Sequence, residues 1–189
     1  MVEKKINGTA SRRKFLKETA VGVIALSAAK VVMFDTLRAE EVAAGTGQQL
    51  KIFSPMEFLV MQTVAERIVG TPLPNGISAS DVNVAFRADA FLADADPEIQ
   101  DQFHQLLTVF NGAIFTFLFD LRLSSFVEMA PEDQDSYLQS WMTSRLSFRR
   151  QGFQALKRIS LSLFYTDKRS WNEIGYDGMF LPWEREGKK

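Results

Sequence analysis

The chemistry open to this chain rests on few side chains. His104 is its single histidine, cysteine is absent, and the candidate carboxylate pairs are Asp94/Asp96 and Asp133/Asp135. A lone imidazole serves as a general base or a metal ligand, and paired carboxylates serve as an acid–base dyad when their side chains meet. Here the spacing is i,i+2, which does not bring two side chains together on a helix. These acids read as caps and loop solvation, and His104 as a histidine capping the wet end of a buried helix. Without cysteine there is no C-x-x-C-H haem attachment and no thiolate ligation of an iron–sulfur cluster. A zinc or copper site wants more than one histidine unless carboxylates alone build it. Neither G-x-S-x-G, G-x-G-x-x-G nor a P-loop occurs. The residues therefore predict no catalytic, cofactor or metal site in this chain.

A second chemistry is recognition. Ser11, Arg12, Arg13, Lys14, Phe15, Leu16 and Lys17 read S-R-R-K-F-L-K, directly ahead of an apolar run from Ala20 to Ala29. Charge followed by a short apolar segment is a targeting signal. The adjacent arginines with Phe-Leu-Lys behind them look like the address of the twin-arginine translocase. The apolar run, even when continued to Phe34, is interrupted by Lys30 and falls short of a spanning helix. Residues 1–44 are expected to be the signal, with Val42-Ala43-Ala44 offering small residues for cleavage and an uncleaved tether as the alternative. Residues 45–53 read as a linker and 54–189 as a single domain. The charge follows this division. Residues 1–44 hold eight Lys/Arg against five Asp/Glu, a net of +3, and the remainder holds 14 against 18, a net of −4. An acidic body argues against a nucleic-acid partner.

The elements that carry these residues read as helices throughout. Ser54-Pro55-Met56-Glu57 is a capping box with proline at the first position. Phe58, Met61, Ala65 and Ile68 follow at helical spacing until Gly70. Ser78 to Asp81 reads as a second capping box, opening a helix with Val82, Ala85, Phe86 and Leu92 inward. Asp96-Pro97 starts the third and longest helix. Ile99, Phe103, Leu106, Phe110, Ala113, Phe117 and Leu121 mark one face, and Val109, Phe115, Phe119 and Leu123 make its later turns apolar nearly all round, as in the central helix of a bundle. Pro131 begins a fourth helix, with Tyr137, Leu138, Trp141 and Met142 inward. A fifth, from about Arg145 to Phe164, turns Phe153, Leu156, Ser160 and Leu163 to one side. The expected fold is all-α, a compact bundle of about five helices with a C-terminal aromatic loop.

Two surfaces could receive a partner. Arg145, Arg149, Arg150, Lys157 and Arg158 form a basic stripe along the fifth helix, read either as a solvated face paired with Glu132, Asp133 and Asp135 or as a contact with an acidic surface. After the last helix, Trp171, Ile174, Tyr176, Phe180 and Trp183 stand between turn residues, where helical core periodicity does not explain them. Tryptophan and tyrosine are enriched among the residues that dominate interfaces. Trp171, Ile174, Tyr176, Phe180, Trp183, Arg149 and Arg150 are the candidate partner-binding residues.

Taken together, the twin-arginine start, the helix Phe58 to Ile68 with its Pro-Asn-Gly loop, the segment Leu138 to Phe153 with Trp141, Ser144, Arg149 and Arg150, and the ending Y-T-D-K-R-S-W-N-E-I-G-Y-D-G resemble the small subunit (subunit 3) family of gluconate 2-dehydrogenase. Family endings often place proline after the last glycine, where this chain has Met179. The resemblance implies a non-catalytic subunit with no cofactor of its own. Its large partner subunit would carry FAD and oxidise gluconate, a sugar or a polyol, often passing electrons to a multihaem cytochrome c subunit. It also implies that the small subunit stabilises the flavoprotein and escorts it through export to the periplasm, membrane-associated through the complex. The residues alone leave two rivals: a stand-alone exported enzyme using carboxylates, tyrosine and His104, and a helical ligand-binding module.

Overall fold

The structure, a computed structural model, describes residues 39–41, 49–70, 76–112, 124–171 and 174–176. Five longer helices follow one another in them: α1 Pro55–Val69, α2 Val84–Ala93, α3 Pro97–Asn111, α4 Pro131–Met142 and α5 Ser147–Tyr165. Single 3-10 turns lie at Phe126–Glu128 and Lys168–Ser170. The fold is all-α, with no strand among the described residues.

The first helix starts as its sequence dictates. The Ser54 hydroxyl accepts from the Glu57 N–H, and the Glu57 carboxylate accepts from the Ser54 N–H at 2.8 Å, so both ends of the capping box close. Gly70 stops the helix at φ 93°, a conformation that side-chain-bearing residues rarely adopt. Between them Phe58, Leu59, Val60 and Met61 are buried at four consecutive positions, which covers every side of the helix. Accordingly α1 touches each of the other four helices and forms the centre of the bundle.

That position differs from the expectation, which put the third helix at the centre and made it longest. Instead α3 buries a single stripe, Phe103, Leu107 and Phe110, and ends at Asn111, with Gly112 extended. The Asn111 side chain accepts from the Val127 N–H at 3.2 Å and so fastens the 3-10 turn to the end of α3. The longest described helix is α5, at 19 residues. Ala113, Phe115, Phe117, Phe119, Leu121 and Leu123, on which the central reading rested, lie outside the described residues.

Two smaller corrections have local causes. The Ser78–Asp81 box forms, with Ser78 N–H on Asp81 Oδ2 at 2.8 Å, but it closes a turn. Asn83 then takes a left-handed φ of 55°, and α2 begins only at Val84. Ile99 and Met142, expected inward, are 47% and 38% exposed. Both stand near helix ends, Ile99 in the first turn of α3 and Met142 at the last position of α4. Ala39, N-terminal to the expected boundary of the domain, sits in a helical turn at 39–41 and has no exposed surface at all.

The far side of the core is aromatic. Phe110 meets Phe126, Tyr137 and Trp141 with ring centroids 4.7, 5.2 and 4.8 Å away, all edge-on. The Tyr137 hydroxyl donates to the Phe110 carbonyl at 3.0 Å, whereas the buried indole Nε1 of Trp141 has no hydrogen-bond partner among the described residues. Gly152 lets α5 approach this cluster closely. A Cβ there would stand 2.6 Å from Leu106 Cδ1 and 2.9 Å from Trp141 Cζ3, inside van der Waals contact.

Candidate partner interface

His104 lies in the middle of α3, not at a wet end, and it has a partner that the sequence did not reveal. Its Nδ1 stands 2.7 Å from Glu57 Oε1 on α1, and its ring meets Phe53 edge-on at 6.2 Å. The second oxygen of Glu57 is the one that caps α1 through Ser54. One carboxylate therefore starts a helix and fastens a neighbouring helix to it. The pair crosses between elements, so its two residues are 47 apart in the chain.

The acidic pairs divide. Asp94 and Asp96 stand at the C-cap of α2 and the N-cap of α3, but the Asp96 side chain makes no capping hydrogen bond. Asp135 takes both branches of the Arg67 guanidinium, the Nε contact at 2.8 Å, and this raises Arg67 above the ordinary arginine value. Arg67 is on α1, so Asp135 ties α4 to the centre and does not pair with the basic stripe.

The stripe itself loses its most interesting member. Arg149 is buried, its guanidinium lying 5.2 Å from the Trp141 ring centre and 5.9 Å from that of Tyr137, and it donates to Ser140 Oγ at 2.9 Å. Stacking on α4 aromatics suits a planar, weakly hydrated cation. Arg149 thus belongs to the α4–α5 packing and offers no exposed surface. Arg145, Arg150, Lys157 and Arg158 remain exposed, and Arg150 donates to the Ser144 carbonyl at 2.6 Å.

The C-terminal aromatics form a small ordered cluster. Asp167 opens the 3-10 turn by accepting from the Arg169 N–H and from the Nε and Nη2 of its guanidinium, each at 2.9 Å. These bonds, with further attraction from Arg87 on α2, lower the Asp167 carboxyl from 3.8 to about 2. Arg169 is raised by the same pairing. Trp171 Nε1 donates to the Tyr165 carbonyl at 2.8 Å, and the indole meets Tyr176 edge-on at 5.0 Å. Gly175, at φ 65°, makes the turn between them. Ile174 and Tyr176 remain 53% and 41% exposed. Trp171 is half-buried, and Phe180, Trp183 and the S-R-R-K-F-L-K stretch lie outside the described residues.

Sequence reading passed over Asp89. It is 1% exposed, and its carboxylate accepts from three consecutive backbone N–H groups, Lys51 at 2.6 Å, Ile52 at 2.9 Å and Phe53 at 2.8 Å. Residues 51–53, expected to be linker, are thereby strapped to α2. The signal was present. Asp89 is four residues after Ala85 and three before Leu92, on the inward stripe of an otherwise apolar helix. A carboxylate so placed must find buried donors.

No group of three or more acidic, histidine or cysteine side chains able to hold a metal occurs among the described residues, and no described helix is long and apolar enough to cross a membrane. Residues 55–178 match the model of a protein family described as gluconate 2-dehydrogenase subunit 3. No curated protein and no solved structure matches the chain.

Proposed function

We propose that this chain, which belongs to the gluconate 2-dehydrogenase subunit 3 family, is a non-catalytic small subunit that stabilises a flavin-carrying dehydrogenase subunit and escorts it through twin-arginine export. The family makes the chain an accessory subunit of a dehydrogenase complex. In our reading the larger partner holds FAD and oxidises gluconate, a sugar or a polyol, and a multihaem cytochrome c subunit receives the electrons. The complex works in the periplasm, associated with the membrane through its other subunits. Ile174 and Tyr176, with Trp171 beneath them and Phe180 and Trp183 following, supply one contact with the partner.

The observation that carries the reading is the family match over residues 55–178 on a chain that opens with S-R-R-K-F-L-K. Glu57, His104, Asp89 and Asp135 are each hydrogen-bonded to a neighbouring element, and Asp167 to Arg169 within its own turn.

Export decides it. Replacing Arg12 and Arg13 together by lysine should strand this chain and its flavoprotein in the cytoplasm. Cell fractionation with a dehydrogenase assay reads the outcome, and undiminished periplasmic activity in the double variant would refute the escort.

A further inference from the structure

We infer that a second contact with the larger dehydrogenase subunit is an uncharged groove between α3 and the α4–α5 pair, and that it takes an apolar segment of that subunit. The inference rests on the small-subunit reading above and assigns it a surface. The groove has a volume of about 490 Å³, and Ile99, Leu106, Val109, Trp141 and Phe148 line it. Its floor is closed where Leu106 and Trp141 meet over Gly152. The remaining polar lining comes from Gln102, Gln105 and Gln151, and no charged side chain lines it among the described residues.

Three observations choose the occupant. The first is charge. A phosphate, an acidic peptide or a lipid headgroup would lose water against this wall without meeting a cation, which is unfavourable. An apolar segment loses nothing there, and three amides can satisfy its backbone groups. The second is exposure. Ile99 at 47% and Phe148 at 48% flank the groove, and Met142 and Leu146, at 38% and 40%, stand on the connection leading into Phe148. Such a concentration of large apolar groups on one side marks a surface that another chain covers. The third is size. Tyr165, Ile174 and Tyr176, three of the other exposed large apolar residues, gather at the opposite end of α5. Nineteen residues of helix at about 1.5 Å each separate the two ends by roughly 28 Å. A standard interface takes about 800 Å² from each partner, a footprint roughly 30 Å across. An interface of standard size is therefore long enough to reach both.

The test uses the full chain and the dehydrogenase subunit that co-purifies with it. Phe148→Ser and Ile99→Ser should each weaken affinity for that subunit about 30-fold, the loss expected when a dominant interface residue is truncated. Gln105→Arg adds a charge at an exposed rim position without touching the core, so it should weaken binding with the urea midpoint of the isolated chain unchanged. Binding by the wild type that survives all three substitutions overturns the groove and leaves the small-subunit reading standing. A wild-type chain that binds no dehydrogenase subunit overturns both. Self-association that Phe148→Ser abolishes, with affinity for the larger subunit intact, overturns the proposed occupant in favour of a second copy.

Discussion

The Asp89 strap gives the sharpest test of how this fold is held. Asp89→Asn preserves shape and removes one acceptor. Oδ1 accepts from Ile52 and Phe53 and can remain an oxygen, whereas the position of Oδ2, which accepts from Lys51 at 2.6 Å, becomes an amide facing an N–H. A hydrogen bond to a charged group contributes roughly 1.5–3 kcal/mol, so the loss with its donor–donor conflict should be about 2–3 kcal/mol. Asp89→Ala removes all three acceptors. Water can reach the Lys51 and Ile52 N–H groups, which are only part-buried, but the Phe53 N–H is buried. We expect about 3–5 kcal/mol, with Phe53 leaving its stack on Phe103 at 6.1 Å. Equilibrium unfolding in urea measures both. With a slope of about 2 kcal/mol per molar, the Asn variant should lose about 1 M in midpoint at unchanged slope. Lys51→Ala is the control, since only the backbone of Lys51 is used and its side chain is exposed. It should stay within about 0.5 kcal/mol. An Asn variant as stable as the control would refute the strap.

His104→Gln should leave turnover of the assembled dehydrogenase within a few-fold of wild type, because the imidazole joins α3 to Glu57; a loss of about 10²-fold or more, the scale of removing a general base, would return the enzymatic rival. Asp167 is held near 2, below its ordinary 3.8, so its contribution is complete above about pH 4 and disappears as pH falls through about 2. Asp167→Asn should therefore lower the urea midpoint at neutral pH, and its gap to wild type should close between about pH 4 and pH 2; a gap independent of pH would contradict the pairing. Ala39 is fully buried, so a chain beginning at residue 45 should be less stable than one beginning at residue 36 by about 1 kcal/mol, the scale of one buried methyl group. Equal urea midpoints for the two would remove Ala39 from the working core.

The parts of this structure legible in the sequence are those that depend on nearest neighbours along a helix. Ser54, Pro55 and Glu57 fixed the start of α1 because all their partners lie within one turn. Gly70 fixed its end, and Phe153, Leu156 and Ser160 showed the buried side of α5 because i,i+3 and i,i+4 neighbours share a face. What stayed hidden depends on which helix lies opposite. Nothing near Glu57 in the chain announces His104, nor does anything near Arg67 announce Asp135. Arg149 shows the same limit from the other direction. Its charge placed it on a solvated stripe with Arg145 and Arg150, yet the rings that receive it belong to α4. The distinction bears on function. A stripe read from one helix says which side is polar, but only the packing of α3 against α4 and α5 shows that Phe148 and Ile99, the latter expected inward, border one groove with no charge among its described residues. The C-terminal aromatics were conspicuous because no periodicity explained them. The groove was not, because its residues conform to helical periodicity and became a surface only when no described element covered them.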